Sequence, residues 1–88
     1  MISKEYTIKN EVGLHARPAA LFVQAANKFI SEIIVKKGDN RINGKSIMGI
    51  MALGVSKGEA IEVIIDGPDE NEALAAMDEL LEVKLTEI

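Results

Sequence analysis

Ala60-Ile61-Glu62-Val63-Ile64-Ile65-Asp66-Gly67-Pro68-Asp69 is the stretch that decides the fold. Ile61, Val63 and Ile65 alternate with Glu62, Ile64 and Asp66, the period-two, β-branched pattern of a strand that buries one face. Gly58 and Gly67-Pro68 bracket the run, since proline cannot donate to a ladder and glycine admits turn backbone. Asp69 followed by Glu72 reads as a capping box. Behind it, Ala73, Leu74, Met77, Leu80 and Leu81 recur at helical spacing, and the acidic remainder reads as a solvated face. A strand running into a helix with one apolar stripe predicts a sheet with that helix laid upon it.

Working upstream, Ser46 stands directly before Ile47-Met48-Gly49-Ile50-Met51-Ala52-Leu53, a cap residue followed by a short apolar helix that Gly54 should stop. Glu32–Lys37 and Asn40–Asn43 are short β-like runs joined by Gly38-Asp39, so they predict a hairpin with Ile33, Val35 and Ile42 inside. From Ala16 to Phe29, Ala19, Phe22, Val23, Ala26 and Phe29 share a helical face while Gln24, Asn27 and Lys28 can meet water. Ile2 to Lys9 alternates again, with Ile2, Tyr6 and Ile8 on the inner side. The order strand, helix, strand, strand, helix, strand, helix predicts an α+β open-faced sandwich, a small antiparallel sheet covered on one face by three helices. No repeat or linker interrupts the pattern, so residues 1–88 are expected to form a single domain.

Of the 88 residues, 48% are hydrophobic and only 3% aromatic, which makes the core aliphatic. The chain has no cysteine and one histidine, which excludes disulfides and thiolate metal sites and makes no case for a zinc site. A net charge of -4 argues against nucleic-acid binding by bulk electrostatics. No apolar run approaches the ~20 residues that span a bilayer, and Met1-Ile2-Ser3-Lys4-Glu5 does not resemble a secretory leader. A cytoplasmic location without membrane insertion is expected.

The chemistry is expected where the single histidine meets the first helix, in Gly13-Leu14-His15-Ala16-Arg17-Pro18-Ala19-Ala20. A helix start leaves backbone N–H groups without intrahelical partners and carries the positive end of the peptide dipoles. Pro18 suits a first turn, where its missing N–H costs nothing. Arg17 adds a permanent cation with donors shaped for phosphate oxygens. Although a lone histidine before a helix is commonly a loop residue or a weak cap, one in this setting is placed either to hold an anion or to accept a phosphoryl group itself.

Gly13-Leu14-His15-Ala16-Arg17-Pro18-Ala19 and Gly44-Lys45-Ser46-Ile47-Met48-Gly49-Ile50-Met51 resemble the two signature segments of the HPr family, the histidine-containing phosphocarriers of the bacterial phosphoenolpyruvate-dependent sugar phosphotransferase system. The likeness covers essentially the whole chain. It implies the sheet order 1-4-2-3. It also implies phosphorylation of His15 on Nδ1 by phospho-Enzyme I and passage of the group to a IIA component, by a monomer that is modified each turnover and is not a free-standing enzyme. The backbone N–H groups of Ala16 and Arg17, with the Arg17 guanidinium, would steady the transferred oxygens. No metal or cofactor is called for.

The short helix is too apolar for an ordinary surface helix. If Ile50 and Leu53 turn inward, Ile47, Met48 and Met51 remain near the surface, where methionine adapts to partners of differing shape. The resemblance sets this helix beside the histidine, so Ala16, Arg17, Ala20, Gln24, Ile47, Met48 and Met51 would form one docking face. It also implies that Ser46 is phosphorylated by an ATP-dependent HPr kinase/phosphorylase, as in low-GC Gram-positive bacteria, the product serving a catabolite control protein. Capping alone would also explain a serine there. Val12 departs from the usual small polar residue and is more typical of the nitrogen-related branch, which leaves that branch, or a regulatory module acting through Ser46, as the alternative reading.

Overall fold

The computed structural model describes residues 1–87, as four strands and three helices followed by a 3₁₀ turn. In chain order these are β1 (Ile2–Thr7), α1 (Ala16–Ala26), β2 (Glu32–Lys37), β3 (Asn40–Asn43), α2 (Ile47–Leu53), β4 (Ala60–Asp66) and α3 (Glu70–Glu82). The strands make one antiparallel sheet in the order β1-β4-β2-β3, so the α+β open-faced sandwich with order 1-4-2-3 is the architecture found. Burial explains why β4 reads so clearly: it is a central strand whose Val63 lies opposite both Lys4 and Val35 and whose Ile65 lies opposite Ile2 and Ile33. Ile33, Val35, Ile61, Val63 and Ile65 are buried on the covered face with Tyr6, and α1, α2 and α3 add Phe22, Ile50 and Met77 to the same core. The opposite face carries Glu5, Glu62, Lys36 and Arg41 in cross-strand register.

The hairpin forms as the sequence predicts, with Gly38 at φ +59 opening its two-residue loop. Two boundaries differ. The first strand ends at Thr7, not Lys9, although Ile8 still exchanges hydrogen bonds with Glu59 and Gly58, at 2.9 and 2.7 Å. The first helix ends at Ala26, and Asn27 to Phe29 continue as tight turns, with the Phe29 N–H donating to Ala26 O at 3.2 Å. The Phe29 carbonyl instead accepts from Lys45 Nζ at 2.6 Å, which holds the chain where it must turn into β2.

The capping box does not form. Asp69 occupies the N-cap position of α3 but makes no side-chain cap bond. Its carboxylate accepts from the backbone N–H groups of Ile30 and Ser31, each at 3.0 Å, and from the Ser31 hydroxyl. Ser31 is buried, and leaving its donors unpaired would cost more than leaving a helix start to water. Glu70, not Glu72, reaches back, accepting from the Gly67 N–H at 3.1 Å. After α3, the 3₁₀ turn Lys84–Glu87 returns Leu85 to the core. The sequence alone does not announce this turn.

A second carboxylate ties β1 to α3. Asp78 Oδ1 accepts from the Tyr6 hydroxyl at 2.5 Å and from Lys4 Nζ at 2.8 Å. Lys4 and Tyr6 hold the Asp78 carboxyl below its ordinary range, and the Ser31 hydroxyl does the same for Asp69. Burial, then the Asp78 contact, pushes the Tyr6 phenol up. For carboxylates depressed on folding, the stabilisation is complete above the unfolded value of about 4 and is lost as pH falls through the folded value. The melting temperature should therefore be level from pH 7 to about 5 and fall below about 4, and Asp69→Asn should flatten that acid limb in a calorimetric pH series. The phenol has the opposite sign: its contribution is present below about pH 10 and fades as pH rises further.

Candidate functional site

His15 is the N-cap residue of α1, with extended backbone at φ −117 and ψ 151. Its side chain makes no cap bond, and the first turn of α1 holds no acidic residue. The first turn thus brings no anion of its own to the positive end of the helix. Ala16 next to it has φ +42, the one positive φ outside glycine among the described residues, a conformation that costs an L-residue about 1–3 kcal/mol and concentrates at functional sites. His15, Ala16 and Arg17 are exposed, while Leu14 and Pro18 on either side are buried. Arg17 forms no ion pair among the described residues. The loop is held down from below: the Leu14 N–H donates to Val55 O at 3.0 Å, and Gly13 at φ +63 lies so close that a Cβ there would fall 2.1 Å from the same oxygen.

The second signature segment lies on the neighbouring element, since α2 packs beside α1. Ser46 Oγ accepts from the Gly49 N–H at 3.1 Å, the cap that the sequence predicts, and Gly54 closes α2 in the left-handed region at φ +63. Ile50 and Leu53 are buried, whereas Ile47 is 40% and Met48 76% exposed. On α1, Ala16, Arg17 and Gln24 are exposed and Ala20 is half-buried. Met51 is half-buried and packed against the core, so it belongs less to the surface than its neighbours do. Val12 is 52% exposed and brings no polar group to the histidine loop.

Two lysines shape this surface without any local signal in the sequence. Lys37 Nζ donates to the carbonyls of Leu53 and Gly54 at 3.3 and 3.1 Å and pairs with Glu59 Oε1 at 3.1 Å, answering the negative end of α2. Lys45 secures the end of α1 through Phe29. Their partners lie far along the chain, which is why spacing rules do not find them.

A family model described as "PTS HPr component phosphorylation site" matches residues 2–83. Phosphocarrier protein HPr of Treponema pallidum is 45% identical over 87 residues, 99% of each chain. HPr-like protein Crh of Halalkalibacterium halodurans is 49% identical over 77 residues, 88% of this chain and 92% of that one. The crystal structure of HPr-C-His from Thermoanaerobacter tengcongensis superposes with a TM-score of 0.95 at 52% identity, covering 100% of this chain and 99% of the other. Both signature segments lie within the matched span, on a backbone that follows a solved HPr from end to end, and the chain accordingly belongs to the HPr family of the phosphotransferase system.

Proposed function

We propose that residues 1–88 act as one cytoplasmic phosphocarrier domain, accepting a phosphoryl group on His15 Nδ1 from phospho-Enzyme I and passing it to IIA components. The observation that carries this reading is an exposed His15 at a helix start that its side chain does not cap, two residues before Arg17, which forms no ion pair among the described residues. The Nδ1 lone pair attacks phosphorus in line. A nitrogen–phosphorus bond forms as the bond to the donor breaks, and that electron pair leaves with the donor. The backbone N–H groups of Ala16 and Arg17 and the Arg17 guanidinium receive the oxygens of the moving group. Few contacts suit a carrier, because a group held too firmly would not leave again. Ile47 and Met48, with Ala16, Arg17, Ala20, Gln24 and the accessible part of Met51, form the adaptable apolar surface against which successive partners close.

Incubation with phosphoenolpyruvate and Enzyme I should give one acid-labile, base-stable phosphoryl group per chain, which a IIA component then removes. No label, or an acid-stable one, would contradict the reading.

A second role rests on the Ser46 cap. Phosphate on Ser46 would stand at the start of α2, where the fold tolerates it, yet would add roughly two negative charges beside the docking surface. HPr kinase/phosphorylase with ATP should label the chain, and the product would serve a catabolite control protein. Ser46→Ala should abolish that label and cost about 1 kcal/mol through the lost cap, measurable by denaturant unfolding. Label on Ser46 together with an unreactive His15 would favour the purely regulatory alternative. A chain charged only by a nitrogen-branch Enzyme I would favour the other.

A further inference from the structure

The histidine side chain makes no cap bond of its own, and Val12 brings no polar group to its loop. Its aim must then come from the backbone. One peptide unit upstream, the plane joining Gly13 to Leu14 is fixed at both ends. Its N–H donates to Val55 O at 3.0 Å, and its C=O accepts from Asn10 Nδ2 at 2.6 Å. The Asn10 carbonyl also accepts from the Gly13 N–H at 3.1 Å, so Asn10 engages both polar groups of Gly13. Asn10 is only 3% exposed, one of the two buried polar residues of the described chain, the other being Ser31. Leu14, 1% exposed, locks the adjoining side chain into the core.

We propose that Asn10 is a positioning residue for phosphoryl transfer at His15: its buried amide sets the Gly13–Leu14 peptide plane and hence the direction from which the imidazole meets its partners. This rests on the phosphocarrier reading. Glu11, exposed and paired with Lys57 Nζ at 2.5 Å, tethers the outside of the same loop and does not touch that plane. A donor is required at Asn10, because the group it faces is a carbonyl.

The test compares Asn10→Asp and Asn10→Ser with a destabilised control, Tyr6→Phe, which loses the hydrogen bond from β1 to Asp78 on α3 and none in the loop. Transfer from phospho-Enzyme I is timed at a temperature where every variant is folded by circular dichroism. Asn10→Asp, the same shape without the donor, should slow transfer by about tenfold or more, the scale of loss expected when reacting groups are misdirected. It should also speed amide exchange at Leu14. Asn10→Ser, which keeps a donor, should recover part of the rate. Tyr6→Phe should transfer within about twofold of the parent despite its lower melting temperature. An Asn10→Asp chain that transfers at the parental rate would overturn the assignment, as would a Tyr6→Phe chain slowed equally. A parent chain that takes no label would overturn the assignment together with the carrier reading, and by that sign the two failures are told apart.

Discussion

His15→Ala should lose phosphoryl acceptance completely while keeping its fold. The imidazole is exposed and makes no cap bond, so its removal takes little from the core, and substitutions at such surface positions stay within about 0.5 kcal/mol. Extended backbone at an N-cap is open to alanine. Arg17, Ala16 and α2 would remain in place without a nucleophile, since no other side chain at that helix start offers a nitrogen lone pair. Incubation with Enzyme I and phosphoenolpyruvate should leave the variant unlabelled, with a melting curve close to the parent's. Label retained at the parental level would place the acceptor elsewhere.

Gly13→Ala should have the largest effect on stability and should slow transfer as well. At φ +63 an alanine pays for left-handed backbone, and its Cβ would fall 2.1 Å from Val55 O and 2.9 Å from Ser56 Cα. Both obstacles are backbone, so the loop has to lift. Lifting it breaks the Leu14–Val55 hydrogen bond and draws a buried leucine from the core. Strain and lost packing together cost about 3 kcal/mol or more, a large share of what an 88-residue domain has to spare. At about 4–8 °C per kcal/mol for a domain of this size, calorimetry should show a fall of more than about 12 °C. Transfer should slow even where the variant is folded, because the displaced segment carries His15. Gly54→Ala makes a useful contrast: it has the same φ, but nothing lies within 4 Å of its Cβ. It should show the backbone cost without the collision, and hence a smaller loss.

The fold was legible wherever the chain's own period decides the outcome. β4 alternates because it is central and covered on one face, the Gly38-Asp39 turn needs a glycine, and Ser46 caps α2 through the nearby Gly49 N–H, with no competing partner for its hydroxyl among the described residues. Legibility failed where a distant partner outbid a local one. Asp69 and Glu72 have capping-box spacing, but the buried Ser31 takes the aspartate. Phe29 continues the apolar stripe of α1, but Lys45 and the turn into β2 end the helix earlier. The strand order came from the resemblance, since pairing partners far apart in sequence leave no period to read. At the site, residue type and neighbours exposed His15 and Arg17. The positive φ of Ala16 and the burial of Asn10 have no signature in residue type or spacing, since both are set by how the loop folds back on the domain.

Phosphoryl transfer by this chain turns on one ring nitrogen, and nuclear magnetic resonance of the ¹⁵N-histidine-labelled chain, charged by Enzyme I and phosphoenolpyruvate, observes it directly. A phosphorus–nitrogen coupling at Nδ1 of His15, with the amide signals of Ala16 and Arg17 moving on charging and returning on transfer to a IIA component, is the predicted result. Phosphorus bound at Nε2, or a chain whose His15 signals do not change while label appears elsewhere, would contradict it.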